Sequence, residues 1–289
     1  MLDSRGRDSN APPKKKRLGA VSFLNAKPLI YGIEKNLFPH NFQLTKAVPS
    51  ALAVELNAGK LDAGLIPSIA YAKNSPALQI VPDCGIIAHG KVKSIRLYFN
   101  KNLKSIRSVA IDVSSMTSVI LTKILLAERY EVKPDFFAAM PDVDKMLASA
   151  DAALVIGDSA LFKTRSTDEN YLDLAEEWHE MTALPFVFAV WAGRYSALDF
   201  DDLQAIISSK TLGQDNIESV CGDAAAEYGA DPDLVRSYLT ENVQFDLGEE
   251  EIAGMRYFFE LAYYHGALEY LPSLNFFPLS GSEGPRELT

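Results

Sequence analysis

The sequence predicts an α/β fold built as two lobes that face each other across a cleft. Three observations predict it. Short apolar strand-like stretches alternate with helix-like ones from Leu18 to Trp191, a pattern that favours mostly parallel sheets. Small polar residues gather where strands hand over to helices, at Ser22–Asn25, Pro67-Ser68, Asp112–Ser118 and Gly157–Ser159. Ligands of open α/β sheets sit at such turns, beyond the carboxyl ends of the strands. Past Gly193 the pattern becomes helical.

Each element has a local reason. Leu18 to Phe23 forms a short strand, and Pro28 suits the first turn of the helix that carries Leu29, Ile30, Ile33 and Leu37. Phe42 to Val48 alternates as a strand. Pro49-Ser50 then opens a helix that ends at Gly59. Leu61 to Pro67 is a buried strand, Ser68 to Tyr71 a helix start, and Leu78 to Ile87 a further strand. Ser94–Phe99, Ser108–Val113, Asp135–Met140, Ala152–Ile156 and Leu184–Trp191 complete the strands. Helices are expected from Val119 to Leu126, from Pro141 to Leu147 and from Gly157-Asp158 onward. Asp199–Ser208, Ile217–Tyr228, Asp231–Leu239 and Glu249–Leu271 form the helical end, with Ile252, Met255, Phe259 and Ala262 at helical spacing.

The chain is expected to cross into its second lobe near Ser94 and to return near Leu184–Gly193. Residues 17–94 with 193–280 then make lobe 1 and residues 95–192 lobe 2, hinged near 93–96 and 190–194. Residues 1–16 are expected to form a disordered basic tail, and residues 281–289 a loose C-terminal one.

Length and charge narrow the function classes. The 289 residues, 48% apolar and 23% charged, suffice for a sizeable core and exclude disorder of the whole chain. Residues 1–17 hold six basic and two acidic side chains, which leaves 22 basic against 36 acidic in the rest. That acidic body argues against a nucleic-acid partner, because phosphate binding needs a basic footprint. An anionic ligand would need oriented backbone amides or a few placed side chains. No apolar run is long enough to span a membrane, and no secretory signal follows the basic start, so a cytoplasmic protein with reduced thiols is expected. Cys84 and Cys221 are expected to be plain buried residues.

Common catalytic motifs are missing. There is no glycine-rich dinucleotide loop, no phosphate-binding P-loop and no nucleophile elbow. His40, His89, His179 and His265 have no histidine partner at helical spacing, so no metal is expected. Asp112-Val113-Ser114-Ser115-Met116-Thr117-Ser118 is the best local signal. It admits two readings, an ordinary helix cap or a neutral cradle in which hydroxyls and first-turn N–H groups hold a carboxylate. Asn25 and Asp158 are open in the same way, as caps or as site residues. The aromatic set Tyr257, Phe258, Phe259, Tyr263 and Tyr264 is read as core, and Glu249-Glu250-Glu251 as a dipole-complementing helix start. From the residues alone the chain binds a small carboxylated molecule in a hydroxyl-rich cleft, as an enzyme or as a binding protein.

Several segments resemble one family. Leu18-Gly19-Ala20-Val21-Ser22-Phe23-Leu24-Asn25-Ala26-Lys27-Pro28-Leu29 is similar to the opening of the MqnA family, the chorismate dehydratases of the futalosine route to menaquinone. The resemblance continues at Leu61–Ser68, Ser94–Tyr98, Asp112–Ser118, Leu154–Leu161, Glu177-Trp178-His179 and Leu184–Trp191, and it covers residues 17 to 280. It implies the type II periplasmic-binding-protein-like fold, no metal or organic cofactor, and loss of water from chorismate to give 3-[(1-carboxyvinyl)oxy]benzoate. A sister enzyme of the same fold makes 1,4-dihydroxy-6-naphthoate, but it opens with a Ser-Pro-Cys-Pro-Asn-Asp-type motif that this chain lacks. The resemblance makes Asn25 the expected catalytic residue. It places Ser68, Ser94, Ser115, Thr117, Ser118 and Asp158 at the substrate, a dianion, with Asp158 also a possible base.

Overall fold

A computed structural model of the chain describes residues 15–100, 102–162 and 170–279. The expected tails at 1–14 and 281–289 lie outside the described residues. In chain order the first lobe opens with β1 (Lys16–Val21), α1 (Lys27–Glu34), β2 (Phe42–Ala47), α2 (Pro49–Asn57), β3 (Ala63–Pro67), α3 (Ser68–Lys73) and β4 (Leu78–Ala88). The second lobe follows with β5 (Ile95–Phe99), β6 (Ser108–Asp112), α4 (Thr117–Glu128), β7 (Asp135–Ala139), α5 (Val143–Ser149), β8 (Ala152–Ile156), α6 (Asp158–Phe162), β9 (Tyr171–Asp173) and α7 (Leu174–Thr182). The chain returns through β10 (Phe186–Arg194) and ends in α8 (Phe200–Asp215), α9 (Ile217–Tyr228), α10 (Pro232–Ser237) and α11 (Glu249–Tyr264).

Two five-stranded sheets result, in the orders β2-β1-β3-β10-β4 and β7-β6-β8-β5-β9. Within each, three strands are parallel: β2, β1 and β3 in the first sheet, β7, β6 and β8 in the second. The expectation of mostly parallel sheets needs correction. β10 runs antiparallel to β3 and β4, and β5 antiparallel to β8 and β9. These are the strands by which the chain enters and leaves lobe 2, so they run against the wound βαβ units.

The return falls at the start of the expected Leu184–Gly193 stretch, ahead of the lobe 2 boundary at 192 and the hinge at 190–194. β10 lies wholly in the first sheet, so Phe186–Trp191 belongs to lobe 1. Its first eight residues are buried because it sits between two neighbours with helices on both sides. A strand apolar on both faces does not reveal which sheet it joins. The crossovers are therefore 89–94 and 183–185, where Lys93 and Ala183 take left-handed backbone (φ 64 and 58). Buried Asp173 braces the first crossover. Its carboxylate accepts from Val92 N (3.1 Å) and Lys93 N (2.6 Å), and it also caps α7 at Ala175 N and Glu176 N.

Other differences are local. β1 begins at Lys16, inside the expected tail, and the Lys16 ammonium is held by Asp199 and Asp202 at the start of α8. α11 stops at Tyr264, short of Leu271, because Gly266 (φ 70) closes a left-handed cap in which Ala267 N reaches Ala262 O. β9 and α7, not expected as elements, fill the edge and one face of lobe 2.

The main core runs through both lobes. It includes Trp178, Trp191, Tyr71, Phe186 and Phe258, all fully buried. A second small cluster of Tyr98, Val143, Met146 and neighbours lies under α5. Among the described residues no helix is long and apolar enough to cross a membrane.

Candidate active site in the interlobe cleft

The carboxyl ends of β1, β3, β6 and β8 all point at one pocket between the lobes. A water-sized sphere can occupy ≈ 60 Å³ of it, within ≈ 470 Å³ of space that includes open solvent. Phe23, Ile86, Ile95, Met116, Ile156 and Phe188 form apolar walls. The polar lining consists of Asn25, Ser94, Thr117 and Ser118, and no charged side chain lines the pocket among the described residues.

After β1 the chain turns through a single 3₁₀ turn, Leu24–Ala26, which carries Asn25 into the cleft. Asn25 is 8% exposed, and its Oδ1 is buried without a hydrogen-bond partner. Such an orphaned acceptor costs about 1–3 kcal/mol unless something fills it. A ligand donor in the cleft is the natural candidate.

After β6 the chain makes an Asx turn. Asp112 Oδ1 accepts from Ser114 N (2.9 Å) and Ser114 Oγ (2.7 Å), and Asp112 O accepts from Ser115 N (2.9 Å). The turn sets Thr117 and Ser118 on the first turn of α4, where no side chain caps the helix. Its N–H groups are thus left for a ligand, and the helix dipole favours an anion there. Ser115 Oγ is buried and unpartnered but does not line the pocket.

Thr117 also bridges the lobes. Its hydroxyl donates to Phe188 O (3.2 Å) and accepts from Ile69 N (3.3 Å), with Ser68 Oγ at 3.4 Å. Ser68 is therefore fully buried behind Pro67, and Pro67 is the residue that faces the cleft. Asp158 makes a second bridge. Its Oδ1 accepts from Leu24 N (3.0 Å) across the lobes, and its neighbour Gly157 lines the pocket. Burial pushes the Asp158 carboxyl above its ordinary range, opposed by the Leu24 N–H, the Tyr228 hydroxyl and Lys27. Gly157 has φ 64, and a Cβ there would meet the Phe23 ring at 2.9 Å, so only glycine lets the lobes approach so closely.

Ser94 is 1% exposed and sits where β5 begins. Its hydroxyl accepts from Tyr238 Oη (2.9 Å). Tyr238 stands out only in three dimensions. It opens a π-helical turn, Tyr238–Asn242, 144 positions away from Ser94, and its sequence surroundings read as plain helix. The thiols are not part of the site. Burial pushes Cys84 up to about 12 and raises Cys221 as well. Elsewhere, His89, Glu250 and Glu251 come within 4.8 Å of one another, but Glu251 is already used to cap Gly248 N and to pair with His89.

Two sheets of like strand order, an interlobe pocket at their carboxyl ends and two crossover strands define a protein of the binding-protein-like class. Solved structures share the fold. A structural-genomics protein from Archaeoglobus fulgidus superposes with a TM-score of 0.73 at 16% identity, covering 89% of this chain and 100% of that one. The periplasmic aliphatic sulphonate binding protein of Escherichia coli gives 0.61 at 15% identity, covering 90% and 96%. Residues 16–264 match the menaquinone biosynthesis family, and the chain belongs to that family. It is 29% identical over 265 residues to the chorismate dehydratase of Thermus thermophilus, covering 84% of this chain and 93% of that protein. It is 31% identical over 175 residues to the chorismate dehydratase of Campylobacter jejuni, covering 59% and 64%.

Proposed function

We propose that this chain is a chorismate dehydratase, a hydro-lyase that removes water from chorismate to give 3-[(1-carboxyvinyl)oxy]benzoate for menaquinone biosynthesis. The observation that carries the reading is a cleft without charged lining among the described residues, walled by apolar residues and ended by an uncapped helix and an orphaned Asn25 carbonyl, in a chain related to chorismate dehydratases. We further assign it to the futalosine route and to the cytoplasm.

The chemistry suits this inventory. Chorismate carries two carboxylates, a C4 hydroxyl and an enolpyruvyl ether at C3. When the C3 proton leaves, its bond pair forms the new ring double bond. The C4–O bond breaks with its own pair, and hydroxide and proton combine as water. The product ring is aromatic, so much of the driving force lies in the substrate. The protein's task is to select one conformer and to steady shifting charge.

Thr117, Ser118 and the free first turn of α4 would take a carboxylate. Asn25 and Ser94 would face the reacting region, with the ring between Phe23, Ile156 and Phe188. Ser68 and Ser115 would support this lining from behind. No base lines the pocket among the described residues, and Asp158 is turned to Leu24 N. The proton acceptor is therefore assigned to a carboxylate of the substrate.

The test is to incubate purified protein with chorismate and follow the mixture by mass spectrometry against a protein-free control. A product lighter by one water with a 3-substituted benzoate spectrum is expected. Unchanged chorismate with folded protein overturns the assignment.

A further inference from the structure

The turn that presents Asn25 does not cap itself. A helical turn leaves its first N–H groups without an internal partner, and a side-chain oxygen just before the turn normally satisfies one of them. Here that place is taken by Phe23, whose side chain has no acceptor and makes no capping bond, and whose ring is a wall of the cleft. Leu24, the first residue of the turn, is fully buried, so an unpaired N–H there would carry the cost of a lost hydrogen bond.

The cap comes from the other lobe. Asp158, at the start of α6 and 134 positions further along the chain, accepts from Leu24 N through Oδ1 at 3.0 Å. Among the described residues it is the partner of that N–H. Two more contacts fix the approach of α6. Gly157 lies so close to the Phe23 ring that a Cβ would meet it at 2.9 Å. The Phe162 ring packs on Tyr228 with centroids 5.4 Å apart, and Tyr228 Oη donates to Ser22 O at 3.4 Å. The backbone on both sides of Phe23, the Ser22 carbonyl and the Leu24 N–H, is thus tied to side chains from outside β1 and its turn. Asn25 follows directly, with its Oδ1 buried and unpartnered.

We propose that Asp158 is a positioning residue: from lobe 2 it caps the lobe 1 turn that carries Asn25, so that Asn25 is set for the substrate only while the two lobes are in contact. What Asn25 does to the substrate rests on the dehydratase reading above. A cap needs an acceptor and not a base. Asp158 therefore acts through its oxygen on Leu24 N and takes no proton from the substrate. With α6 drawn away, the Leu24 N–H is left without its partner and Asn25 loses its fixed place.

Asp158→Ala removes the acceptor, and Asp158→Asn keeps an acceptor without a base. Both are assayed at a temperature where thermal unfolding shows them folded. The kcat for chorismate dehydration should fall roughly 5-fold to 30-fold in Asp158→Ala, the span of a lost helix cap, while KM stays within about threefold because Thr117, Ser118 and the first turn of α4 are untouched. Asp158→Asn should stay within about threefold of wild type in both constants. A merely structural bridge would lower the unfolding temperature of Asp158→Ala and leave the kcat of the folded protein in place. A general base would lose as much in Asp158→Asn as in Asp158→Ala. Either result overturns the proposal. Hydrogen exchange of the Leu24 backbone amide, followed by NMR, reads the cap without turnover. The amide should be protected in wild type and in Asp158→Asn and exchange at least about 10-fold faster in Asp158→Ala; equal rates in all three overturn the proposal. If wild type leaves chorismate unchanged, the dehydratase reading fails, and this exchange alone decides whether Asp158 caps the turn. Should Asp158→Ala not fold, wild type and Asp158→Asn decide together: a protected Leu24 amide in both, with kcat retained in Asp158→Asn, upholds the cap, and an amide that exchanges as fast as an exposed one overturns it.

Discussion

The turns after β1 and β6 hold corresponding places in the two sheets and carry different chemistry. In lobe 1, β1 leads into the 3₁₀ turn that places Phe23 and Asn25, an aromatic wall and an amide. In lobe 2, β6 leads into an Asx turn that frees the first turn of α4 with Thr117 and Ser118. The strand orders match position by position, so the wound scaffold is the same. The difference teaches that the scaffold supplies the location of the cleft and the turns supply its specificity. Both sheets have a largely exposed edge strand, β2 in lobe 1 and β7 in lobe 2, and lobe 1 alone carries the helices α8 and α9 behind α1.

The largest effect is expected where lobe 1 meets the reacting atoms. Asn25→Ala should lower kcat/KM by roughly 100-fold or more, the scale seen for loss of one preorganised polar group. Asn25→Asp should cost at least as much despite its matching shape, because it sets a carboxylate against a dianion in a pocket with no cation in its lining among the described residues. Steady-state kinetics on chorismate checks both, and full turnover by Asn25→Ala would remove Asn25 from the centre of the site.

A smaller effect is expected for the lobe 2 turn. Thr117→Val keeps the shape but strips the hydroxyl from Phe188 O and Ile69 N, leaving buried groups unpaired. Urea unfolding should show a loss of about 1–3 kcal/mol. No loss would mean that the lobes do not depend on this bridge.

The smallest effect concerns the second bridge and appears as a pH dependence. The native Asp158 carboxyl lies above its unfolded value, so the native state holds the proton more tightly. Its contribution to stability therefore falls as pH rises from the unfolded value, about 4, to the native one, and is level above that. Asp158→Asn retains an acceptor for Leu24 N and does not titrate. It should gain stability relative to wild type between pH 4 and pH 7, followed by thermal unfolding at a series of pH values. A constant difference across that range would show that ionisation of Asp158 has no bearing on the fold.

Much of this was legible in the sequence because its causes are local. Strand and helix periods, Pro28 at the start of α1 and Gly59 after the end of α2 each act within a few residues. The Phe-Leu-Asn turn and the Asp112–Ser118 run could be named for the same reason: both are strand-to-helix turns with their polar groups in series. Gly266, which ends α11, was there to be read as well.

What only the tertiary structure decided are the meetings of distant segments. β10 joins lobe 1 rather than lobe 2 because its register with β3 and β4 sets its place, and a strand apolar on both faces suits either sheet. Ser68 faces Thr117 rather than the cleft, and Asp158 faces Leu24, through contacts that span 49 and 134 positions. Tyr238 reaches Ser94 across 144 positions from a stretch with no motif of its own. Periodicity tells which side of an element is buried, and so the sequence determined most of the elements, β9 and α7 excepted, the two-lobed class and the two turns that flank the cleft. Which buried side meets which depends on packing the whole chain at once, and that packing assigned each hydroxyl its partner.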